Sequence, residues 1–490
     1  MPKYKLFIGG NWLKASSGKT FESLNPATGR SIGTFESAST VDVEAAVQAA
    51  KKAYPAWKNT PAPHRGKILL KFARLLEENK ERLAKSLTEE MGKVLPEARG
   101  DIQEAIDIAE YMAGEGRRLF GYTTPSELPN KAAFTIRQPI GVVGIISPWN
   151  FPIAIPAWKI CPALVCGNTI VFKPSSDTPR CAVQFVELLV KAGVPPGVVN
   201  LVFGSGEEAG MALVRHSDVR MVSFTGSRET GEQILKNAGI KKIGLELGGK
   251  NPIIIMDDAD LNLALEGVLW SAFGTTGQRC TAASRVIIHE SVKQQFEQLL
   301  LGRVQKLRLG SGLESKTDVG PLINQKAVEK VHSYVQIGLQ EGAKLLCGGN
   351  PIPGNGFFFQ PTIFSEVQPS MRIAQEEIFG PVLAIIPVKS FEEAIAVANN
   401  VSYGLSASIY TKNISLSFKA IQEIESGLVY INSSTIGAET HLPFGGIKGT
   451  GNGTREAGIE GINEFSETKT VYIDYSGKLQ RAQIDLFKSK

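Results

Sequence analysis

The sequence predicts an α/β protein with two doubly wound domains, because short apolar segments alternate with helical segments along two long stretches. The first stretch covers residues 141–247 and the second runs from residue 252 to about residue 431. Short apolar strands that alternate with helices are typical of a parallel sheet covered on both faces. A chain of 490 residues with 43% hydrophobic residues is long enough for two or three domains.

The composition excludes several classes of protein. The 53 Lys and Arg residues against 48 Asp and Glu residues give a net charge of +5, without a basic block that would bind nucleic acid. No uncharged apolar run reaches about 18 residues and no signal peptide is evident, so we expect no membrane association and a cytoplasmic location. Five cysteines do not form a disulfide framework.

The elements follow in order from this pattern. Residues 41–119 are helical, since apolar residues recur at spacings of three and four, and residues 135–139 alternate like an exposed strand. The first doubly wound stretch has predicted strands at 141–146, 169–172, 198–203, 221–224 and 243–247. Its predicted helices are 151–166, 182–191, 207–214 and 228–237.

The second stretch repeats this organisation. Its predicted strands are 252–256, 285–289, 382–388 and 427–431, and its helices are 261–273, 292–304 and 391–399. Residues 469–475 alternate like an edge strand and lie far from either core in sequence. A lone two-sided strand is usually paired, often with another subunit.

Glycine-rich loops follow two of the predicted strands, and each loop opens a helix. Gly206 and Gly210 lie in the first loop, and Gly226 and Ser227 lie in the second. Glycines let backbone N–H groups approach a phosphate, and a helix N-terminus favours negative charge. Neither loop has the G-x-G-x-x-G spacing, so a tight turn and a nucleotide site both remain open.

Cys280 has small or polar neighbours, and Arg279 beside it would favour a thiolate. The alternative is a buried, inert cysteine, which is the usual state of a free thiol. Cys161 and Cys166 lie in an apolar helix and are expected to be structural. Without a nearby histidine or third cysteine they predict no metal site, and the scattered histidines give a Cys–His hydrolase no local support.

Glu246 ends an apolar strand and is followed by Gly248 and Gly249. A buried carboxylate is costly unless it is paired or neutral, and burial would raise its pKa toward that of a useful base. A strand-end carboxylate that faces water is the competing interpretation.

Seven motifs occur in one order along the chain: Pro148-Trp-Asn150-Phe-Pro, Lys173-Pro-Ser-Ser176, Phe224-Thr-Gly-Ser227, Leu245-Glu-Leu-Gly-Gly-Lys-Asn-Pro252, Gly277-Gln-Arg-Cys280, Glu376-Glu377-Ile-Phe379-Gly-Pro and Pro443-Phe-Gly-Gly-Ile-Lys448. Together they resemble the NAD(P)-dependent, non-acylating members of the aldehyde dehydrogenase superfamily, and the resemblance covers nearly the whole chain. Residues 451–458 and 474–477 are similar to the 2-oxoglutarate-semialdehyde dehydrogenase branch.

The resemblance implies three parts and a homo-oligomer, either a dimer or a tetramer. The dinucleotide-binding domain would comprise residues 1–120 and 139–248, and the catalytic domain residues 249–445. A small β oligomerisation arm would comprise residues 121–138 and 466–490.

The resemblance also implies catalytic roles. Cys280 would be the nucleophile that forms a thiohemiacetal and then a thioester with the aldehyde. The Asn150 side chain and the Cys280 backbone N–H would hold the oxyanion. Glu246 would activate the water that hydrolyses the thioester, and Glu456 resembles a second acidic residue that assists proton transfer.

The hydride acceptor implied by the resemblance is NAD(P)+. Glu377 and Phe379 would position the nicotinamide ribose and ring, and Gly206, Gly210 and Ser227 would contact the diphosphate. The remaining cofactor-binding positions are Pro148, Trp149, Lys173, Ser176, Thr225 and Leu247.

One departure from the family predicts cofactor choice. Many NAD-preferring members have a glutamate three residues after the ribose-contacting lysine, whereas here Ser176 follows Lys173. A carboxylate at about 5 Å from a 2′-phosphate would cost about 3 kcal/mol per unit charge at an effective dielectric near 20. We therefore expect NADP+ to be accepted and preferred, with NAD+ as the alternative.

The expected substrate depends on Arg279, which lies beside the nucleophile where many members have a neutral residue. It would anchor the distal carboxylate of an acid such as 2-oxoglutarate semialdehyde or succinate semialdehyde. The alternative is that Arg279 points away and pairs with a structural carboxylate. Trp158 and Phe273 are expected to line an aromatic-walled tunnel.

Two other functions remain as alternatives. A coenzyme-A-acylating semialdehyde dehydrogenase would pass the thioester to a thiol, but such relatives generally lack the base at Glu246. A non-catalytic binding or structural protein on this fold would show damaged catalytic positions, whereas Cys280, Glu246 and Asn150 are intact.

Overall fold

Two seven-stranded sheets form the framework of the chain, in a computed structural model that describes residues 2–485. In the first sheet five strands run parallel, and two strands from the N-terminal segment add to one edge in antiparallel orientation. Across this sheet the strands are Lys242–Glu246, Val219–Thr225, Val142–Ile146, Thr169–Lys173, Val199–Leu201, Leu6–Ile8 and Asn11–Leu13.

The second sheet has six parallel strands and one antiparallel edge strand, Lys344–Cys347. Beyond that edge the order is Thr362–Ser365, Val382–Val388, Ala283–His289, Asn251–Ile255, Ser406–Tyr410 and Leu428–Ile431. Both faces of this sheet are buried, since Ile254 packs into one apolar cluster while Ile253 and Ile255 pack into another. The predicted fold class, two doubly wound α/β units, is confirmed.

The predicted helical stretch 41–119 consists of four helices, Thr40–Asn59, Ala62–Glu78, Lys80–Met91 and Leu95–Glu115. The first begins with a capping box in which Ser39 and Asp42 satisfy each other's backbone N–H groups. The third ends at Gly92, whose φ of 95° is left-handed and therefore stops the helix.

The other helices cover the two sheets. They are Ala154–Cys166, Pro179–Ala192, Met211–Arg215, Arg228–Asn237, Leu261–Phe273, Glu290–Val304, Gln325–Gln340, Arg372–Gln375, Phe391–Asn399, Ile414–Glu423 and Gly458–Glu464. The predicted helix 207–214 differs from the structure, because the chain makes a π turn at Gly206–Gly210 before the α-helix begins.

A separate three-stranded antiparallel sheet contains the C-terminal strand Ser466–Asp474. This strand pairs along its whole length with Lys131–Pro139, which in turn pairs with Thr123–Pro125. The predicted edge strand therefore has a partner within its own chain, while its outer edge is unpaired within residues 2–485. Residues 486–490 of the predicted arm lie outside the described part of the chain.

Two smaller sheets complete the structure. One has the strand order Lys3–Tyr4, Arg30–Glu36, Thr20–Asn25, and the other pairs Tyr403–Gly404 with Ile447–Lys448. Within residues 2–485 no helix has the length and apolar character needed to cross a membrane.

Candidate active site

The carboxyl ends of neighbouring parallel strands bring the predicted site residues to one edge of the first sheet. Thr225 is in register with Glu246, and Ile146 is in register with Lys173. Ligands of doubly wound sheets bind at this edge. The loops that follow these strands carry Pro148, Trp149, Asn150, Ser176, Ser227 and Leu247.

Cys280 follows the helix Leu261–Phe273 after a tight turn. Within this turn Thr275 and Thr276 have φ values of 51° and 59°. Left-handed backbone at a β-branched residue is uncommon and costs about 1–3 kcal/mol per residue. The turn persists only because surrounding groups hold it in place.

Side chains from distant parts of the chain hold the segment around Cys280. The Asn251 amide donates to the Cys280 carbonyl at 2.7 Å, and the Asn150 amide donates to the Gln278 carbonyl at 3.1 Å. The Gln278 side chain accepts the backbone N–H of Ile323 at 2.9 Å. These bonds fix the nucleophile candidate relative to both sheets.

Two cavities, of about 560 Å³ and about 220 Å³, meet at Cys280. Ile155, Thr225 and Leu247 line both cavities together with Cys280. The larger cavity also contains Glu246 and Glu456, and the smaller one contains Asn150, Glu377 and Phe379. A thiol at such a junction can contact one ligand on each side.

Glu246 is only 4% exposed, and in the described part of the chain neither of its carboxylate oxygens has a hydrogen-bond partner. Burial raises the pKa of Glu246 well above its usual value, and the nearby carboxylates Glu456 and Glu464 raise it further. Lys159 acts in the opposite direction. The interpretation of Glu246 as a strand-end carboxylate in water is therefore wrong, because the group faces an enclosed cavity.

A buried polar network lies behind Glu246. Lys159 pairs with Glu456 and donates a hydrogen bond to the Ser223 hydroxyl at 3.0 Å. That hydroxyl lies 3.5 Å from Glu464, and burial, followed by the charge of Glu456, raises the pKa of Glu464 to about 8. Glu456 and Glu464 thus lie in the same buried region as Glu246, shielded from bulk water.

The Cys280 thiol is mostly protonated at neutral pH. Burial and the negative charges of Glu246 and Glu377 raise the pKa of Cys280 to about 12. Cys280 as a residue is partly exposed and lines both cavities. Its surroundings therefore include polar groups as well as apolar side chains. Its activation therefore requires a group that accepts the thiol proton as the sulfur reacts.

Asn150 lies 3% exposed beside Cys280 and lines the smaller cavity. Its amide has two N–H groups, and one of them is used by the bond to Gln278. The second remains for an oxyanion next to the sulfur. The predicted oxyanion donor is thus fixed by its own neighbour before substrate binds.

The smaller cavity has the aromatic and acidic groups expected for a nicotinamide riboside. Trp149 and Phe379 meet edge to face with ring centroids 5.5 Å apart, and Phe379 has a φ of 60°. Glu377 accepts the Gly249 backbone N–H at 2.9 Å, and a Cβ at Gly248 would collide with its carboxylate. Pro148, Thr225, Ser227 and Leu247 complete the wall.

The residues expected at the adenosine end also lie together. The Lys173 side chain runs along Gly210, and its ammonium donates to the Pro174 carbonyl at 2.9 Å. Burial lowers the pKa of Lys173 to about 8. The Ser176 hydroxyl donates to the Gly204 carbonyl at 3.1 Å, so its proton is in use while its lone pairs remain accessible to a donor.

The two glycine-rich loops that carry the expected diphosphate contacts differ in their surroundings. Ser227 caps the helix Arg228–Asn237 by accepting the Thr230 backbone N–H. Gly206 begins the π turn, and its neighbours Ser205 and Glu207 line a separate open cavity of about 500 Å³. The helix Arg228–Asn237 has ten residues, and its N-terminus opens into the smaller cavity, which suits an anionic group. The residues present therefore fit a bound dinucleotide.

The larger cavity has the aromatic wall that the sequence predicts, although one residue was assigned wrongly. Trp158 lines it and packs edge to face on Phe444 at 5.2 Å. Phe273 does not line it, because it is 2% exposed and packs in the core of the second sheet. Trp270, one turn earlier on the same helix, occupies the wall that Phe273 was expected to form.

Arg279 combines both interpretations that the sequence left open. Its guanidinium lines the larger cavity, 4.8 Å from the Trp270 ring and 5.3 Å from the Phe151 ring. It also lies 3.9 Å from a Glu97 carboxylate oxygen. Its Nε donates to the Thr275 hydroxyl at 2.8 Å, while its two Nη atoms have no hydrogen-bond partner within residues 2–485.

Several residues that shape the site have no local signal in the sequence. Lys159 and Glu464 lie in helices and contact partners far away in the chain. Glu104 lines the larger cavity from a helix whose charges resemble a solvated face, and burial raises its pKa to about 8. The motif around Cys280 could have drawn attention to Gln278. The described residues contain no group of ligands that could hold a metal ion.

Comparison with known proteins agrees with this geometry. The model of the "Aldehyde dehydrogenase family" matches residues 12–471. Alpha-ketoglutaric semialdehyde dehydrogenase of Bacillus subtilis is 44% identical over 96% of this chain and 98% of that protein. The NADP(+) succinate-semialdehyde dehydrogenase of Escherichia coli is 41% identical, covering 96% and 98%.

A solved structure has a similar fold. Betaine aldehyde dehydrogenase from Staphylococcus aureus in complex with NAD+ superposes with a TM-score of 0.95 at 36% identity, covering 97% of this chain and 96% of that one. With a family match over almost all of its length and relatives above 40% identity, the chain belongs to the aldehyde dehydrogenase family.

Proposed function

We propose that this protein oxidises an aldehyde to a carboxylic acid through a thioester on Cys280, with NAD(P)+ as hydride acceptor. The position of Cys280 where two cavities meet is the observation that supports the proposal most directly. The smaller cavity suits a flat ring between Phe379 and the sulfur, and the larger one suits the substrate. When bound, the nicotinamide supplies the hydride acceptor on one side of the sulfur.

In the first step the Cys280 sulfur attacks the aldehyde carbon, and the thiol proton leaves as the C–S bond forms. The raised pKa of Glu246 makes this carboxylate a stronger base than an exposed one. The free N–H of Asn150 and the Cys280 backbone N–H stabilise the oxyanion, and one such donor contributes about 3–4 kcal/mol to barrier lowering.

Loss of a hydride from the thiohemiacetal carbon to the bound nicotinamide would give the thioester. Glu246 then accepts a proton from the water that attacks the thioester carbon. The C–S bond breaks, and the carboxylic acid and the Cys280 thiol are released. Glu246 returns the water proton to the departing sulfur. The proton that Glu246 took from the thiol in the first step has to leave before the water reacts, and Glu456, which pairs with Lys159 behind Glu246, would accept it.

NADP+ is the preferred cofactor in this proposal. Ser176 brings no negative charge to the adenosine end, and Lys173 supplies a cation there. The Escherichia coli relative is named for NADP(+), whereas the Staphylococcus aureus structure contains NAD+. The family alone does not decide the choice, so the argument rests on these two side chains.

The proposed substrate is a semialdehyde that carries a distal carboxylate, of the 2-oxoglutarate or succinate semialdehyde class. Arg279 lines the larger cavity, and its Nη atoms, which make no hydrogen bond within residues 2–485, match a carboxylate in geometry. The Bacillus subtilis and Escherichia coli relatives are both named for such semialdehydes. The aromatic walls at Trp158 and Trp270 would contact the chain between the two ends.

Two alternatives are disfavoured. A coenzyme-A-acylating enzyme has no use for the buried base Glu246, and none of the relatives named above has an acylating name. A non-catalytic protein would not keep an unpartnered carboxylate beside a cavity-facing thiol, since burying such a group is costly.

We also propose a cytoplasmic homo-oligomer, dimer or tetramer. The strand Ser466–Asp474 has an unpaired outer edge within the described chain, and Tyr472 and Ile473 on it are more than half exposed. An exposed edge strand with apolar side chains is suited to pair with a second copy.

The variant Cys280→Ser tests the nucleophile. We expect kcat with hexanal and NADP+ to fall by about a thousandfold or more, because a hydroxyl is a far weaker nucleophile than a thiol at neutral pH. NADPH absorbance measures the rate, and an unchanged melting temperature shows that the fold is intact. Turnover within about tenfold of the wild type would exclude covalent catalysis by this sulfur.

The variant Glu246→Gln tests the base. Loss of the base that accepts the proton of both the thiol and the water should lower steady-state kcat about a hundredfold or more and slow NADPH formation in the first turnover as well. In the wild type the hydrolysis rate should fall as the pH drops below the raised pKa of Glu246, since the protonated acid accepts no proton. The variant should lack this pH dependence in rapid-quench measurements.

A second readout of the same variant is the thiol itself. Removing the negative charge at residue 246 should lower the pKa of Cys280, seen as alkylation by iodoacetamide at lower pH.

Coenzyme A added to the wild type should give free acid as the product. An acyl-coenzyme-A product would favour the acylating alternative.

The variant Ser176→Glu tests cofactor choice. A carboxylate about 5 Å from the 2′-phosphate should reduce kcat/KM for NADP+ by about a hundredfold, at about 3 kcal/mol per unit charge. The value for NAD+ should change much less, and Ser176→Gln is the neutral control of similar size. A wild-type kcat/KM for NAD+ about tenfold or more above that for NADP+ would contradict the prediction.

The variant Arg279→Ala tests the substrate anchor. A charge-assisted hydrogen bond contributes about 1.5–3 kcal/mol, so kcat/KM for 2-oxoglutarate semialdehyde should fall about ten- to a hundredfold more than that for hexanal. Arg279→Lys keeps the charge but not the forked geometry, so its kcat/KM for 2-oxoglutarate semialdehyde should lie between those of the wild type and Arg279→Ala. Equal losses with both aldehydes would remove the anchor role.

A further inference from the structure

Glu97 lies in the first turn of the helix Leu95–Glu115, yet its side chain reaches the loop that carries Cys280. It is 8% exposed, and both of its oxygens accept the Thr275 backbone N–H at 2.9 Å. One of them also accepts the Thr275 hydroxyl at 2.8 Å. A single carboxylate thus takes up both donors of one strained residue.

The direction of these hydrogen bonds is fixed by chemistry. The Thr275 hydroxyl oxygen accepts the Nε–H of Arg279 at 2.8 Å, and an arginine has no acceptor. The hydroxyl proton must therefore point to Glu97. Glu97 thus accepts both donors of Thr275, and the Thr275 hydroxyl links it to Arg279.

The strain lies where Glu97 binds. Thr275 and Thr276 both have left-handed backbone, and Cys280 follows only a few residues later. Asn150 and Asn251 hold the later part of this loop, from Gln278 to Cys280. Glu97 is the charged group that holds its beginning.

We propose that Glu97 is a positioning residue, which keeps the Thr275 turn in its left-handed form and thereby places the Cys280 sulfur between the two cavities. The inference rests on the proposed role of Cys280 as nucleophile. The same carboxylate orients Arg279 through the Thr275 hydroxyl, so the nucleophile and the substrate anchor share one support.

The variant Glu97→Gln is the sharpest test, since it keeps the size of the side chain and replaces one acceptor by an N–H₂ donor. In this variant an N–H group would face a donor of Thr275, so the turn should shift. We expect the alkylation rate of Cys280 by iodoacetamide, compared across pH, to fall about ten- to a hundredfold. For hexanal, kcat should fall by a similar factor while KM stays within about threefold.

Control measurements separate positioning from a general loss of stability. Rates are normalised to active sites counted from the NADPH burst, and melting temperatures are recorded. Glu110→Gln removes an exposed carboxylate from the same helix and should alkylate like the wild type. A Glu97→Gln variant that alkylates and turns over hexanal like the wild type would overturn the proposal.

A second variant keeps the proposal testable if Glu97→Gln does not fold. Thr275→Val keeps the branched shape and removes the hydroxyl, so it should also slow alkylation. When both single variants fold, the double variant should be little worse than Glu97→Gln, because the two groups act as one unit. Independent, additive losses would contradict the proposal, as would a Thr275→Val variant with wild-type alkylation.

These outcomes differ from a failure of the proposed function. Alkylation reports the position of the sulfur without any substrate. If Cys280→Ser kept its turnover, the thioester mechanism would fail whatever the result for Glu97. If Cys280→Ser were inactive and Glu97→Gln behaved like the wild type, only the positioning role would be excluded.

Discussion

The fixed position of one loop, residues 274–280, is the constraint on which the rest of the site depends. A loop lacks the regular backbone hydrogen bonds of a helix or a sheet, so its buried N–H and C=O groups need other hydrogen-bond partners. Here the partners are side chains from three separate elements, namely Glu97, Asn150 and Asn251. Each side chain comes from a regular element or directly follows one, so the two sheets together determine where the sulfur lies.

The electrostatics of the site follow from this placement. Cys280 and Glu246 share one enclosed space, burial raises the pKa of both groups, and the negative charge of Glu246 raises the pKa of Cys280 further. Both are therefore protonated more readily than in water, and a site in which both groups are ionised is unfavourable. Ionising the sulfur is easiest when its proton moves to a neighbour, which avoids two negative charges side by side. Lys159 acts against this exchange, because its positive charge favours the ionised form of Glu246.

The sequence predicts the parts of this arrangement that depend on local pattern. Apolar runs of strand length identify both sheets, and a motif of adjacent residues identifies Cys280 and Glu246. Phe273 was misplaced because helix periodicity alone does not tell which face turns to a cavity and which to the core. Glu97 could not be found, since its partner Thr275 is 178 positions away and its neighbours look like an ordinary charged helix. Such pairings depend on how helices dock, which composition and spacing do not encode.

The charge balance of the larger cavity explains how it could accept an anionic substrate. Besides Glu246 and Glu456, four further carboxyl groups line it: Glu97, Asp101, Glu104 and Asp318. The two aspartates are paired with Lys93 and Arg308, and burial raises the pKa of Glu104 to about 8, so that this group ionises less readily than an exposed glutamate. Glu97 is occupied by the donors of Thr275, which weakens its hold on Arg279 at 3.9 Å. These four carboxyl groups thus leave little free negative charge around Arg279, whose Nη atoms make no hydrogen bond within residues 2–485 and are left for an anionic group.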